Sequence, residues 1–333
     1  MKKNLTKYLK IIIPVALGLY LVWHIYNQLS LEQRTELFRA FEQANYLWVL
    51  LSMSMGVLSH WIRGFRWSYQ LEAMGYQPNN ANNFMAVMIG YVVNMALPRV
   101  GEVSRAAALT RYEQIPFQKT FGSILSERTL DFIILLLITA TTVILQFEAM
   151  SPYVEEFSHI LLEKINLQIG IVVAILGLIL LTVSVFLIRR FSHTTFVGKL
   201  RGFVNELLEG LRSIIRMKKR GRYLFSTLAI WILYIGMFWV CFFSLKETSH
   251  LGISAIFAGF VLGSFAIVII PGGIGAFPAG IMQALLLYGV AAESGFALGW
   301  ILWFSQTLMV LTVGGACMIF MPIFNKNRLH ESN

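Results

Sequence analysis

Long apolar runs separated by short polar stretches dominate this chain. Tyr8–Tyr26, Tyr46–Leu71, Phe117–Phe147, Leu167–Ile188, Tyr223–Leu245 and Phe296–Phe320 are each continuous enough to predict a membrane-crossing helix, since a hydrocarbon core of about 30 Å takes roughly 20 helical residues. Asn83–Leu97 is apolar too, but at about 1.5 Å per residue it is too short to cross comfortably. Pro98 and Gly101 break it, Val103–Tyr112 can return as a second short helix, and Pro116 ends that helix. This pattern predicts a re-entrant hairpin with its tip at Pro98–Glu102. Ile253–Ile270, then Pro271-Gly272-Gly273-Ile274-Gly275, then Ala276–Val290 predict a second hairpin or two short spans. Leu29–Ala44 differs, because Leu31, Leu37, Phe38 and Phe41 recur at helical spacing among polar residues. It reads as an amphipathic helix on the outer interface or as a solvated loop helix.

The order span, hairpin, span occurs twice. Tyr46 matches Tyr223 and Pro98 matches Pro271 at a nearly constant offset. The number of crossings between the copies makes the second one inverted. Inverted repeats with discontinuous helices at matching positions are an architecture of secondary transporters, whose sites lie between the broken segments. The predicted fold is therefore an all-α integral membrane protein with about six full transmembrane helices plus two re-entrant or broken helical hairpins in an inverted repeat. One polytopic domain over residues 1–333 holds a first repeat over 46–147, a connecting span and basic cytoplasmic segment over 148–222, and a second repeat over 223–321.

Composition agrees with that reading. Hydrophobic residues make up 57% of the 333 and charged residues 13%, about half the charge density usual in soluble domains. The net charge is +10, yet the basic residues cluster beside apolar runs, which argues for positive-inside topology and anionic lipid rather than nucleic acid. Arg189–Arg222 alone contains ten basic residues against Glu206 and Glu209. It reads as a basic amphipathic helix on the inner leaflet or as a charged linker between halves. Lys2, Lys3, Lys7 and Lys10 before the first span, and Lys326 and Arg328 after the last, place both termini in the cytoplasm of a multi-pass cell-membrane protein. The N-terminal apolar run lacks a small-residue cleavage site and reads as an uncleaved span. Cys241 and Cys317 lie in apolar runs, and the six histidines are scattered. Neither a disulfide framework, a metal site nor a cofactor is expected.

The candidate chemistry lies in the ionisable residues of apolar segments, which are costly there and mark function by default. The first tip offers Arg99 and Arg105 as cations, with Glu102 beside them. Glu127 and Asp131 are four apart on one helical face with Arg128 alongside, either as part of the site or as an ion-pair network locking that span. The second tip, Pro271, Gly272, Gly273 and Gly275, offers backbone N–H groups and a helix N-terminus to an anion. A tight turn or a close helix contact explains the same glycines. Together the tips suit a phosphate-bearing ligand, since arginine binds phosphate as a planar fork. Arg63 and Arg66 share a face and are expected to snorkel to cytoplasmic headgroups or to form a lip of the substrate path. Arg216, Lys218, Lys219 and Arg220 are further headgroup contacts. His60 reads as a helix-packing residue.

These residues resemble a known family, the flippase-like transmembrane region of lysylphosphatidylglycerol synthases and its stand-alone relatives. The resemblance rests on Asn94, Pro98, Gly101-Glu102 and Arg105, on Glu127-Arg128 with Asp131, and on Pro271-Gly272-Gly273-Ile274-Gly275. It implies a lipid translocase or a protein acting on lipid-linked substrates, with those residues at its site. Many members carry a glutamate shortly after the last glycine, where this chain has Phe277-Pro278, and that puts an acidic role for the second half in doubt. The resemblance further implies no synthase activity here, because the chain ends at Asn333 without the soluble aminoacyl-transfer domain.

Three readings follow. The first is a flippase for a phospholipid or other phosphate-bearing lipid, headgroup between the tips and tails in the bilayer. The second is an integral membrane transferase using a polyprenyl-phosphate donor, with Glu102, Glu127 or Asp131 as general base. The absence of metal-ligand spacing and of a nucleotide fingerprint weighs against that reading. The third is a scaffold that binds anionic lipid through Arg189–Arg222. Membrane lipids are the expected partners, no catalytic residue is assigned, and a homodimer is left open.

Overall fold

The computed structural model describes residues 16–97, 100–164, 214 and 217–326. All regular structure among the described residues is helical: α1 (16–28), α2 (Leu31–Gln43), α3 (Tyr46–Ala73), α4 (Asn80–Ala96), α5 (Gly101–Glu113), α6 (Phe117–Lys164), α7 (Arg220–Phe242), α8 (Ile253–Ile269), the 3-10 turn Pro271–Gly273, α9 (Ala276–Leu286) and α10 (Ala292–Phe324). The chain forms two compact units, Met1–Leu125 with Ile214–Asn333, and Ser126–Ser213. The expected span Leu167–Ile188, most of the basic segment Arg189–Arg222, and Pro98 and Arg99 lie outside the described residues.

Local chemistry sets the boundaries. Ser30 and Gln33 form a reciprocal capping box before α2, and the Asn45 and Asn79 carboxamides accept from the first turns of α3 and α4. Gln114 ends α5 in the left-handed region at φ 56°, and Pro116 separates it from α6. Gly289 (φ 76°) ends α9 before Val290, which makes this helix shorter than the apolar pattern predicts.

Among the described residues, three helices are long and apolar enough to cross a membrane: Phe117–Gln146 of α6, Arg220–Phe242 and Ala292–Phe324. The expected six are not established. α3 has the length, at 28 residues, but its second half is diluted by His60, Arg63, Arg66 and Gln70. α8 and α9 are shorter apolar helices. Phe225, Leu228 and Ile232 on α7, and Phe304, Ile319 and Phe320 on α10, point outward and stay exposed. Such apolar surface fits a bilayer and not water.

Inside the larger unit, α3 packs along α7, α4 against α3, α5 and α10, and α8 against α9. One core joins Phe238, Phe242, Ile281, Phe296 and Leu302. A second joins Trp67, Leu71, Met88, Leu109, Ile124 and Met321. Glycines permit the tightest crossings. A Cβ on Gly64 would lie 2.8 Å from the Phe84 backbone, and one on Gly299 would lie 2.6 Å from Pro278 Cα. The expected apolar face of α2 divides, since Leu37 is buried while Leu31 and Phe38 remain exposed.

Candidate functional site

Asn94, near the end of α4, holds the start of α5. Its Oδ1 accepts from the Gly101 N–H at 2.8 Å, and its Nδ2 lies 3.3 Å from both carboxylate oxygens of Glu102. Val100 supplies no side-chain cap to α5, so the carboxamide of the neighbouring helix takes that role for an otherwise orphan donor. Glu102 also sits in the first turn, where the helix dipole favours a carboxylate.

Two glycines let the helices meet this closely. A Cβ on Gly101 would lie 2.1 Å from the Gly90 carbonyl oxygen, and one on Gly90 would lie 3.2 Å from Arg105 Cβ. Arg105 follows one turn after Gly101 and is only 4% exposed. Its guanidinium carbon lies 3.9 Å from the centroid of the Trp67 ring, and a desolvated contact of this kind stabilises by about 2 kcal/mol. Trp67 is fixed in turn, because its Nε1 donates to Ser123 Oγ at 2.7 Å. Asn94, Gly101, Glu102 and Arg105 are thus brought together as the sequence suggests. Trp67, Ser123 and Gly90 are members that sequence reasoning missed. Gly90 carries one signal, an otherwise unexplained glycine inside a helix.

At the second tip, Gly272, Gly273 and Gly275 adopt φ of 79°, 67° and 71°, the left-handed region open to glycine. Trp303 Nε1 donates to the Gly272 carbonyl at 2.7 Å. The Gly273 and Ala276 N–H groups donate to the Ile270 and Ile274 carbonyls, so part of the expected anion nest is used within the turn. A Cβ on Gly275 would lie 2.2 Å from Gly18 O, and one on Gly18 would lie 2.2 Å from Ile274 O. α1 therefore rests backbone to backbone on the tip. The turn Pro271–Gly273 also reaches α4, which brings the two broken segments side by side.

Glu127, Arg128 and Asp131 lie on α6 in the smaller unit. Glu127 is fully buried, and all three are engaged in interactions. Arg63 and Arg66 do not snorkel. They are 2% and 0% exposed, because α7 covers that face of α3. Arg63 Nε donates to Tyr234 Oη at 3.2 Å, and Arg66 Nη1 donates to Thr227 Oγ1 at 2.9 Å. Direct headgroup contact is corrected to helix–helix contact for this pair. His60 packs its ring 4.5 Å from Tyr91 and 6.1 Å from Tyr234. Lys218, Lys219 and Arg220 are exposed at the start of α7, with Lys219 Nζ paired to the Glu72 carboxylate. Arg216 lies outside the described residues.

The sequence profile of the family described as lysylphosphatidylglycerol synthase TM region matches residues 11–315. UPF0104 membrane protein MJ1595 of Methanocaldococcus jannaschii is 27% identical over 213 residues, 58% of this chain and 63% of that protein. The chain thus spans less than two thirds of this relative's length. No solved structure matches.

Proposed function

The chain belongs to the lysylphosphatidylglycerol synthase transmembrane-region family, and from that premise we propose that this membrane protein translocates a phosphate-bearing lipid between leaflets. One observation carries the reading. Arg105 is buried on Trp67 one turn after Glu102, at the start of a helix held by Asn94, on a hairpin whose first arm meets the glycine turn. An arginine kept at this cost in an apolar bundle supplies the forked donor that a phosphate recognises. The ordered N-terminus of α5 adds partial positive charge.

The matching order of long and short helices, α3 to α6 and then α7 to α10, supports an inverted repeat. Rocking one repeat against the other would carry the headgroup while its tails stay in lipid. We place the basic end of α7 and both termini in the cytoplasm, with the protein in the cell membrane.

Purified protein in liposomes with headgroup-labelled phospholipids and an outer-leaflet quencher tests this reading. Wild type is expected to translocate an anionic lipid faster than a zwitterionic one, and Arg105→Lys is expected to lose at least tenfold in rate, because the ammonium keeps charge but not the fork. Full rate in a folded Arg105→Lys or Arg105→Met variant would overturn the site. No translocation of any lipid, with product formed from a polyprenyl-phosphate donor in detergent, would replace the transporter by the transferase.

A further inference from the structure

Outside the hairpins, α3 and α7 leave a cleft of about 440 Å³ near the basic start of α7. Ile62, Phe65 and Tyr69 line one wall, and Arg222, Phe225 and Ala229 line the other. The spacing puts 62, 65 and 69 along one face of α3, and 222, 225 and 229 along one face of α7. From Arg222 to Ala229 the cleft follows α7 for about 10 Å at 1.5 Å per residue. Its composition is graded. Arg222 stands at the mouth, exposed, with Lys218 exposed one turn before it and Tyr69 inside. Beyond them the walls are apolar apart from Ser226, whose hydroxyl donates to the Arg222 carbonyl, and Phe225 is open to the outside.

The mouth is built. Lys219 Nζ is paired with the Glu72 carboxylate and lies 5.8 Å from the centroid of the Tyr69 ring, which ties the end of α3 to the start of α7. That pair cancels one charge of each sign and leaves the mouth cationic through Lys218 and Arg222. α7 is one of the helices able to cross the membrane, so the groove starts at the basic membrane interface and runs into hydrocarbon. A cation at the rim with an apolar trough below it matches one chemical class, a phosphodiester headgroup attached to an acyl chain.

We propose that this α3–α7 groove is a binding site for one anionic phospholipid, with its phosphate at Arg222 and Lys218 and its acyl chain along Phe65, Phe225 and Ala229. The occupant stays bound and is distinct from the lipid handled at the hairpins. The proposal does not rest on translocation. It also gives Lys218 a headgroup role that Arg63 and Arg66, buried on the inner side of the same helix pair, do not fill.

Native mass spectrometry of the full-length protein tests it. The protein is titrated with phosphatidylglycerol or phosphatidylcholine of identical chains, with inorganic phosphate as a competitor. Wild type is expected to retain one phosphatidylglycerol several-fold more strongly than phosphatidylcholine, with no competition from phosphate. Arg222→Gln is expected to weaken that retention about fivefold, the effect of one interfacial cation, and Arg222→Lys to restore most of it. Ala229→Phe, which fills the trough, is expected to lower retention of both lipids. Equal retention of the two lipids, an unchanged Arg222→Gln variant, or displacement by phosphate would each overturn the site. So would an Ala229→Phe variant that binds as wild type, since the lipid would then be held by surface charge alone.

Discussion

A methyl group at Gly101 has nowhere to go. It would lie 2.1 Å from a backbone oxygen and 2.5 Å from Asn94 Cγ, so α4 and α5 must separate to admit it. Overpacking of that kind costs about 1–3 kcal/mol. Gly101→Ala is therefore expected to lower the unfolding midpoint in detergent and to release Asn94 from Glu102, whereas Gly122→Ala, inside α6 with open space around it, is expected to hold or raise the midpoint, since alanine favours a helix interior over glycine. Asn94, Glu102 and Arg105 were legible in the sequence because polar groups in an apolar run have few reasons to exist. Their supports were not. Trp67 reads as an ordinary interfacial aromatic until its ring is found under Arg105, and nothing near Gly18 in the chain announces a contact with Gly275. Arg63 and Arg66 were misread for a related reason. Helical position places them near the end of α3, but only the packing of α7 decides that they point inward.

Among the elements, the paired short helices α4–α5 and α8–α9 were visible from length and from proline and glycine punctuation, and the α4, α5 and α8 boundaries fall within a few residues of the pattern. What the pattern does not contain is the fastening of the first hairpin's base. Asn82 Nδ2 donates to Asn325 Oδ1 at 2.8 Å, and Asn325 Nδ2 donates back to Asn82 Oδ1 at 2.7 Å. The Glu113 carboxylate accepts from the same Asn82 amide. Start of α4, end of α5 and end of α10 are thus joined through two fully buried carboxamides. Removing one partner strands the other in a dry site, at a cost of about 1–3 kcal/mol. Asn82→Ala and Asn325→Ala are each expected to destabilise by that amount, measured by chemical unfolding in detergent, and the double variant by clearly less than their sum. Additive losses would mean that the two amides do not act as a pair. This staple escaped sequence reading because amide pairing depends on which faces of three helices converge.

For the whole molecule, the charge distribution and the order of long and short helices make a statement about sidedness. If α7 to α10 repeat α3 to α6 with inverted topology, the α3–α4 and α7–α8 connections are equivalent positions on opposite faces of the membrane. Gln77 and Ser249 are exposed in those connections, while the native thiols Cys241 and Cys317 are buried and contribute little background labelling. In the proposed orientation, the basic cluster at the start of α7 lies inside. After one span the α7–α8 connection is then outside, and the α3–α4 connection is inside. Gln77→Cys and Ser249→Cys variants, probed with a membrane-impermeant maleimide, read this directly. Ser249→Cys is expected to react in intact cells, and Gln77→Cys only after permeabilisation. Reaction of both from the same side would make the repeats parallel, would leave the two tips entering from one face, and would remove the basis for alternating access between them. Opposite reaction would fix the geometry in which the Asn94–Glu102–Arg105 cluster and the glycine turn approach each other from opposite sides, as a headgroup passing between leaflets requires.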